Sequence, residues 1–326
     1  MVHTTVVGNY PRIGDTHEEQ KLRRAIARLD KGEITEPDLR EVEREVVRDV
    51  VREQAAAGIE LVTDGQITWY DSQSHIARGL RGIEIDGLVR YFDTNTYYRQ
   101  PVVKAAVAWE RPILVDEWRY ARDQTSVPVK AVLTGPATLA ALANDGHYGK
   151  REALAAAFAK ALAQEISALA KAGAAHIQID EPIVAQKPDA FETVKETFPV
   201  LAAAKGKATL TLFTYFGDVT KVYRDLLKVP ADLLGLDLVE GAKTLDHIAK
   251  HGADKPLVLG VVDARNTRAD DPSAIAKRVR ELRHSVDLDA SYVSPSNGLE
   301  FLPRAKAREK LKVLVYAAKI VREVGE

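Results

Sequence analysis

The sequence predicts an α/β protein, specifically a single (β/α)8 TIM barrel, and two observations carry this prediction. Eight short β-rich runs alternate with segments of helical periodicity along the 326 residues. Most of these runs are continuously apolar, which is typical of strands buried on both faces in a parallel sheet. An open doubly wound sheet is the alternative, but no Gly-x-Gly-x-x-Gly follows the first run.

The predicted strands and helices cover most of the chain. The strands are expected at 3–10, 59–65, 129–135, 175–180, 208–216, 233–239, 256–262 and 290–296. The helices are expected at 18–31, 36–57, 151–171, 189–204, 218–228, 243–251, 272–285 and 303–323. The helix at 151–171 is the clearest, because it combines strong helix formers with apolar residues at a spacing of 3.6.

One segment interrupts the strand–helix alternation. Residues 83–127 resemble an inserted β-ribbon followed by a helix, placed between the second and third barrel strands. Long insertions at this position of a barrel commonly serve as lids or binding loops, and a purely structural excursion is the alternative. We therefore predict one domain, residues 1–326, with an insertion at about 83–127.

Composition restricts the classes of function. Lys and Arg total 46 against 47 Asp and Glu, so charge gives no reason to expect nucleic acid or an anionic membrane as partner. No run of 18 apolar residues predicts a membrane span, and the start lacks the pattern of a signal peptide, so we expect a cytoplasmic protein. The absence of cysteine excludes disulfides, thiolate nucleophiles and cysteine-based zinc sites.

Polar residues at the carboxyl ends of the predicted strands are the candidate site residues, because barrel enzymes build their active sites there. Such carboxylates can hold a substrate amine, act as a general base or ligate a hard metal, although some can instead cap the next helix. We assign catalytic roles to Asp180, Asp263 and Arg265. Substrate-binding roles are assigned to Asn9, Arg12, Asp64, Gln66, Trp69, Glu181, Tyr215, Asp237, Glu240, Ser296 and Asn297.

Eight motifs together resemble the cobalamin-independent methionine synthase family. In chain order they are VVGNYPRIG, IELVTDGQITWYD, YFDTNTYY, TGPATL, IQIDEP, TYFGD, LDLVEG and SPSNGL, and the resemblance runs from about residue 3 to residue 320. Full-length members of this family carry two barrels. YFDTNTYY and TYFGD are similar to the amino-terminal barrel, whereas SPSNGL is more similar to the end of the catalytic carboxy-terminal barrel.

The resemblance implies methyl transfer from a methylated folate to homocysteine, with a zinc ion that converts the thiol to a thiolate. The family's His-x-Cys ligand pair corresponds to Leu212 and Thr214 of this sequence, and its last cysteine corresponds to Asn297. Its glutamate ligand corresponds to Asp237 or Glu240. Zinc is therefore implied by the family while its His and Cys ligands are absent here, and we assign no metal ligand.

Other positions of the family pattern also differ. A serine of the family corresponds to Asn9, a glutamate that contacts the amino acid corresponds to Gln66, and a histidine thought to act as an acid corresponds to Arg265. The aspartate that the family uses on the substrate's α-amine is present as Asp180. The resemblance also implies that Lys21, Arg23 and Arg24 contact the acidic tail of a folate, with a solvated helix face as the alternative.

Three functions remain open from the sequence. The chain is a stand-alone half of a methionine synthase that acts with a separate zinc-bearing barrel, or it is a zinc-free single-barrel enzyme that acts on an amino acid or a pterin-like ligand. The third hypothesis is a non-catalytic binding barrel. The sequence thus leaves open whether the chain is itself an enzyme, and it favours a methyltransferase-like role.

Overall fold

A computed structural model describes residues 1–323 of the chain. The strands are β1 His3–Thr4, β2 Leu80–Arg90, β3 Tyr97–Trp109, β4 Ala131–Thr134, β5 Asn144–Asp145, β6 His176–Asp180, β7 Thr209–Thr214, β8 Leu233–Asp237, β9 Leu257–Val262 and β10 Tyr292–Pro295. The helices are α1 Lys21–Asp30, α2 Glu36–Ala57, α3 Ser74–Arg78, α4 Val115–Arg122, α5 Pro136–Leu142, α6 Arg151–Ala172, α7 Ile183–Gln186, α8 Phe191–Ala204, α9 Tyr223–Leu226, α10 Ala242–His251, α11 Pro272–Glu281 and α12 Arg304–Glu323. Short 3-10 turns lie at Glu18–Gln20, Pro188–Ala190 and Leu299–Phe301.

Seven strands form a curled parallel sheet in the order β1-β10-β9-β8-β7-β6-β4. Its two edges are joined through Leu61 and Val62, which make single parallel bridges to Thr5 and Val129. The predicted α/β barrel is therefore confirmed, with the helices outside the sheet and the apolar core between them.

The second barrel strand is shorter than the predicted run at 59–65 because a helix side chain takes its backbone groups. The Gln54 amide of α2 accepts the N–H of Thr63 at 3.0 Å and donates to its carbonyl at 3.1 Å. Gln54 is fully buried, and its side chain replaces the hydrogen bonds that a neighbouring strand would make to Thr63. The backbone polar groups of Thr63 therefore remain paired. The strand is consequently reduced to the bridges at Leu61 and Val62.

The insertion has the predicted form of a ribbon followed by a helix. β2 and β3 pair in antiparallel fashion from Leu80↔Trp109 to Arg90↔Tyr97, and the turn at 91–96 connects them. β5 adds a short parallel contact to β3, and α4 follows the ribbon. The assignment of residues 1–326 to one domain stays a prediction.

The helix α6 is long and apolar enough to cross a membrane by length and composition, and half of its most apolar window is buried. Within the barrel this helix packs against α8, α5 and the ribbon strand β3. These contacts account for its apolar character, since a helix covered on several sides is apolar around much of its circumference. No other helix within residues 1–323 meets the same length and composition test.

A single buried carboxylate on α6 connects the insertion to the barrel. The Glu165 side chain accepts the indole N–H of Trp109 at 2.6 Å and the backbone N–H groups of Ile113 and Leu114 at 2.9 and 2.8 Å. These three donors lie at the end of β3 and at the start of α4. Glu165 therefore fixes both parts of the insertion against α6.

We predict that Glu165→Ala lowers the free energy of unfolding by about 2–4 kcal/mol, because three donors at the ribbon base lose their acceptor. Urea denaturation measures this change, and limited proteolysis reports whether residues 80–122 loosen first. The control is Gln164→Ala, which removes an exposed side chain from the same helix. Equal stability of the two variants would contradict the anchoring role of Glu165.

Candidate functional site

A cavity of about 120 Å³ lies where the ribbon meets the carboxyl ends of the barrel strands, and we refer to it as the mouth cavity. Its barrel wall contains polar and charged groups, and its ribbon wall contains aromatic ones. The lining residues are Asn9, Tyr10, Arg12, Trp69, Tyr70, Asp71, Ser72, Tyr91, Thr96, Tyr97, Tyr98, Tyr215 and Glu300. The cavity is small and combines aromatic walls with a few convergent polar groups, as ligand sites do.

Aromatic side chains hold the ribbon turn over the mouth. The Tyr91 and Phe92 rings lie 6.1 and 6.2 Å from the ring of Phe216, which follows β7, in edge-to-face arrangements. The Tyr98 hydroxyl donates to the carbonyl of Leu142 at 2.9 Å. The ribbon thus shields the strand ends from water.

Three residues at or beside this contact have unusual backbone conformations. Gln66, Phe92 and Phe216 have φ values of 51°, 49° and 70°, and within residues 1–323 they are the non-glycine residues with positive φ. Such conformations cost of order 1–3 kcal/mol each and cluster at functional sites. The strain therefore marks the same region as the cavity does.

Asp180, at the end of β6, is buried beneath this cover. Its carboxylate accepts the Gln178 amide at 2.7 Å and the Tyr215 hydroxyl at 3.3 Å. Burial raises the pKa of Asp180 to about 7, although the bond from Gln178 and the charge of Lys130 act in the opposite direction. Asp180 does not itself line the mouth cavity, but its hydrogen bond from Tyr215 connects it to a residue that does, and its role as a site residue stays a prediction.

Glu300 also lines the mouth cavity, although it was not among the polar residues selected at the ends of the predicted strands. It lies in the 3-10 turn after β10, lines the mouth cavity, and its buried Oε2 atom has no hydrogen-bond partner among residues 1–323. Burial, together with the nearby charge of Asp180, raises its pKa to about 7. The only sequence signal was its place in the SPSNGLEF stretch, three residues beyond Asn297.

Arg12 supplies a positive group to the same cavity. Its Nε donates to the Ile67 carbonyl at 2.7 Å, and its guanidinium lies 4.9 Å from the centre of the Tyr70 ring. The buried Nη2 atom has no partner within the part of the chain that is described. The mouth cavity therefore presents unpaired acceptor and donor groups of opposite charge on its lining.

Two predicted site carboxylates already accept hydrogen bonds from backbone N–H groups of the protein. Glu181 accepts the N–H groups of Ala137 and Thr138 at 2.9 and 2.7 Å, which caps α5. Asp237 accepts N–H groups from Phe216, Val239 and Glu240 at 3.0–3.1 Å. Burial raises the pKa of each to about 7. Both lie at strand ends as predicted, and their oxygens organise the loops there.

Arg265 and its neighbours lie at the rim of the mouth. The guanidinium pairs with Glu240 at 2.6 Å, lies 5.4 Å from the Phe216 ring and donates to the Asp93 carbonyl at 3.4 Å. Asp263 accepts the backbone N–H of Arg265 at 2.9 Å. The Arg265 side chain thus connects the loop after β9 to the ribbon turn through Asp93 and to the loop after β8 through Glu240.

The remaining strand-end residues lie around the end of the second barrel strand. Asp64 accepts the backbone N–H of Gln66 at 2.9 Å, and burial raises its pKa to about 6 with help from the charge of Glu117. Trp69 donates its indole N–H to Glu117 at 3.3 Å and also lines the mouth cavity. Asp64 instead borders a very small cavity shared with Trp69 and Lys130.

The positions that correspond to zinc ligands in the family do not fit a zinc ion. Leu212 is apolar and buried, and the Thr214 hydroxyl lies 3.4 Å from the carbonyl of Gly235. The Asn297 amide nitrogen donates to Ser296 at 3.1 Å, and its oxygen is a weak zinc donor without a partner in the described residues. No group of three His, Cys, Asp or Glu side chains within 1–323 has the arrangement of a metal site.

The folate-tail candidates are outside the mouth cavity. Lys21 pairs with Glu45 at 3.2 Å and with Asp49 at 2.7 Å, so its charge is already neutralised by α2. Arg24 donates to the carbonyl of His17, and Arg23 is exposed. Of the three, Arg23 alone has a side chain with neither an ion pair nor a hydrogen bond within the described range.

A glycine makes room for the Glu300 carboxyl. A β-carbon on Gly298 would lie 2.1 Å from Glu300 Oε2 and 2.9 Å from the β-carbon of Asn9. The φ of Gly298 is −60°, so the backbone itself accepts alanine. The requirement for glycine is therefore spatial.

We predict that Gly298→Ala lowers the free energy of unfolding by about 1–3 kcal/mol, because it overpacks the space held by Glu300. Combining it with Glu300→Ala should recover part of that loss, and urea unfolding of the four proteins gives the coupling energy. Gly87→Ala is the control, since its β-carbon would meet no atom within 4 Å. Strict additivity of the two substitutions would contradict the contact.

Comparison with known proteins agrees with this geometry. The family model described as "Cobalamin-independent synthase, N-terminal domain" matches residues 73–287. Proteins named methionine synthase from Saccharolobus solfataricus and Sulfurisphaera tokodaii are each 31% identical over 99% of this chain, covering 96% and 93% of their own lengths.

Solved structures show the same fold. A B12-independent methionine synthase from Shewanella sp. W3-18-1, solved in complex with selenomethionine, has a TM-score of 0.82 at 23% identity, over 99% of this chain and 98% of that one. A putative B12-independent methionine synthase from Listeria monocytogenes has a TM-score of 0.74 at 18% identity and covers 99% of both chains. From the family match and the sequence relatives together, the chain belongs to the cobalamin-independent methionine synthase family.

Proposed function

We propose that the mouth cavity binds an α-amino acid and that the chain takes part in methyl transfer from a methylated folate, or another methyl carrier, to homocysteine. In this proposal a separate zinc-bearing barrel supplies the activated thiolate, and the chain acts as a cytoplasmic stand-alone half of a methionine synthase. Membership of the family supports the reaction class. The mouth cavity supports the kind of ligand.

The observation that carries the proposal is a buried Glu300 oxygen without a hydrogen-bond partner in the mouth cavity, with the buried Asp180 carboxyl bonded to the lining residue Tyr215. Glu300 lines the cavity with an oxygen that has no partner among residues 1–323, and Asp180 is connected to the cavity through Tyr215, its hydroxyl donor. An ammonium group would satisfy both, and each charged hydrogen bond contributes about 1.5–3 kcal/mol. The unpaired Nη2 of Arg12 offers a donor for the carboxylate of the same ligand.

Binding of an ammonium group would change the protonation of the site. Burial raises the pKa values of Asp180 and Glu300 to about 7, so at neutral pH a fraction of each is protonated in the free protein. A cation stabilises the ionised carboxylates and lowers their pKa values, so protons leave as the ligand binds. The crystallised Shewanella relative contains selenomethionine, an amino acid with the same α-amine.

The proposal places thiolate activation outside this chain. A free thiol has a pKa of about 8.5 and is mostly protonated at neutral pH, so transfer to sulfur needs an activating group. Leu212, Thr214 and Asn297 provide no thiolate or imidazole donor at the positions where the family holds zinc. The contribution of this chain is to bind and orient the amino acid beneath a cover that excludes water.

A second candidate is a zinc-free single-barrel enzyme acting on another amino acid or on a pterin-like ligand. It is supported by the presence of Asp180 where the resemblance implies an acid for the substrate amine, together with replaced residues at the positions implied for the metal ligands. Under this candidate the aromatic wall of Tyr91, Tyr97 and Tyr98 would stack on a ring or cover an apolar side chain.

The deciding assay measures methionine formation from homocysteine and methylated folate with the chain alone, with a zinc-bearing methionine synthase barrel alone, and with both. Metal content by mass spectrometry on zinc-supplied protein accompanies each reaction. Activity that requires both proteins supports the split enzyme. Turnover by the chain alone with no bound zinc supports the second candidate, and binding without turnover in any mixture supports a non-catalytic barrel.

We predict that Asp180→Asn and Glu300→Gln each weaken binding of L-homocysteine or L-methionine by at least about tenfold at pH 7.5, because each removes a charged acceptor for the ammonium group. Isothermal calorimetry measures the affinities. Asp246→Asn is the control, since it removes an exposed carboxylate on α10. Wild-type affinity in both mouth variants would place the ligand elsewhere.

A further inference from the structure

A chain of hydrogen bonds runs inside the barrel from Lys130 to the mouth. The Lys130 ammonium donates to Gln178 Oε1 at 2.6 Å, and Gln178 Nε2 donates to Asp180 Oδ1 at 2.7 Å. Lys130 precedes β4, while Gln178 and Asp180 lie two residues apart on β6 and so face the same side of the sheet. The three side chains are between 0% and 5% exposed, so the connection is closed to bulk water.

The orientation of the Gln178 amide is fixed by its partners. Besides Asp180, its nitrogen donates to the carbonyl of Val7 at 2.8 Å. The reverse orientation would face the amide nitrogen towards the Lys130 ammonium and its oxygen towards Val7, which are two repulsive contacts. Gln178 therefore always presents an N–H to Asp180 and a carbonyl to Lys130.

Lys130 carries a charge that no carboxylate neutralises directly. No ion pair within 4.0 Å involves its ammonium group among residues 1–323, in contrast to buried Lys310, which pairs with Asp270 at 2.6 Å. Lys130 is also absent from the lining of the mouth cavity. Its route to a ligand thus passes through Gln178 and Asp180.

We propose that Lys130 is a positioning residue which, through the Gln178 amide, favours the ionised form of Asp180 and fixes it in one orientation for an amine-bearing ligand at the barrel mouth. This inference rests on the proposed function and identifies Lys130 as the group that controls the ionisation of Asp180. The Lys130 charge favours the carboxylate form of Asp180 by Coulomb attraction, and the Gln178 N–H favours it by hydrogen bonding. Both effects are strong because the surroundings are dry.

Of the other titratable groups around this pair, Tyr215 also favours the ionised form of Asp180, and the rest oppose it or make their contacts elsewhere. Tyr215 donates its hydroxyl to Asp180, and the Glu300 carboxyl across the cavity repels a second negative charge. Glu181 follows Asp180 in the chain, but its oxygens accept hydrogen bonds from the start of α5. In the ribbon, burial raises the pKa of Tyr91, and the charge of Asp180 contributes to the increase.

Two further titratable groups lie on the Lys130 side of the pair. Asp64 borders a small cavity with Lys130, and burial followed by the Lys130 charge lowers the pKa of His176. Within residues 1–323, Lys130 is therefore the cation whose charge acts to lower the pKa of Asp180, although burial lowers the pKa of Lys130 itself to about 7.

The sign of the expected pH effect follows from the charges. Burial raises the pKa of Asp180 and lowers that of Lys130, and each opposite charge partly reverses the shift of the other. Replacing Lys130 with methionine removes the stabilising cation, so the pKa of Asp180 must rise further. Binding of an ammonium ligand needs the ionised acid. The acid limb of the binding profile, that is, the pH below which affinity falls, should therefore move up by about one to two units.

The test compares wild type, Lys130→Met, Gln178→Met and the control Lys310→Met, which removes a buried ammonium group away from the mouth. Carboxyl 13C NMR follows the Asp180 midpoint in the free proteins, assigned by its loss in Asp180→Asn. Calorimetry with L-methionine from pH 5.5 to 9 gives the binding profile. Thermal unfolding confirms that each variant is folded.

We expect the Asp180 midpoint and the acid limb of binding to rise together in Lys130→Met, by a smaller amount in Gln178→Met, and not in Lys310→Met. An unchanged Asp180 midpoint in Lys130→Met would overturn the inference. If wild type binds no amino acid while the midpoint still rises, the proposed function fails but the control of Asp180 by Lys130 stands. The two failures are therefore separable.

Discussion

The contact between the ribbon turn and the barrel strand ends is the constraint on which the chemistry of the mouth depends. Tyr91 and Phe92 pack on Phe216, and the same turn is held by Arg265 at the rim. This cover removes water from the carboxyl groups below, and desolvation is the largest cause of the raised pKa of Asp180. Without the ribbon these acids would lie at an open barrel end and remain ionised in water.

Burial alone does not make a carboxyl group available for a ligand. Glu181 and Asp237 are as deeply buried as Asp180, yet backbone N–H groups already occupy their oxygens. Glu300 differs because its Oε2 atom has no partner among residues 1–323 and lines the mouth cavity, and Asp180 differs because its two donors are side chains, one of which, Tyr215, lines that cavity. Local hydrogen bonding therefore distinguishes two kinds of buried acid. Glu181 and Asp237 hold the loops in place, whereas Asp180 and Glu300 are the candidates for binding an amine.

The sequence predicted the barrel, the ribbon and the position of Asp180, because strand ends and long insertions leave clear patterns. It did not predict Glu300, which lies in a 3-10 turn beyond the strand end, or Lys130, whose role depends on a side chain reaching along the barrel interior. The extent of the second strand could not be predicted from the sequence pattern either, because the side chain of Gln54 in the preceding helix α2 pairs with its backbone groups. These features arise from tertiary contacts, which periodicity does not encode.

The central claim is that the mouth carboxyl groups receive the ammonium group of an amino acid. Its most direct test is calorimetric titration of L-homocysteine at pH 7 in buffers of different ionisation enthalpy, which counts protons exchanged on binding. The account predicts net release of about half to one proton, since acids with raised pKa values ionise when the cation arrives. Binding without proton release, or with proton uptake, would contradict it.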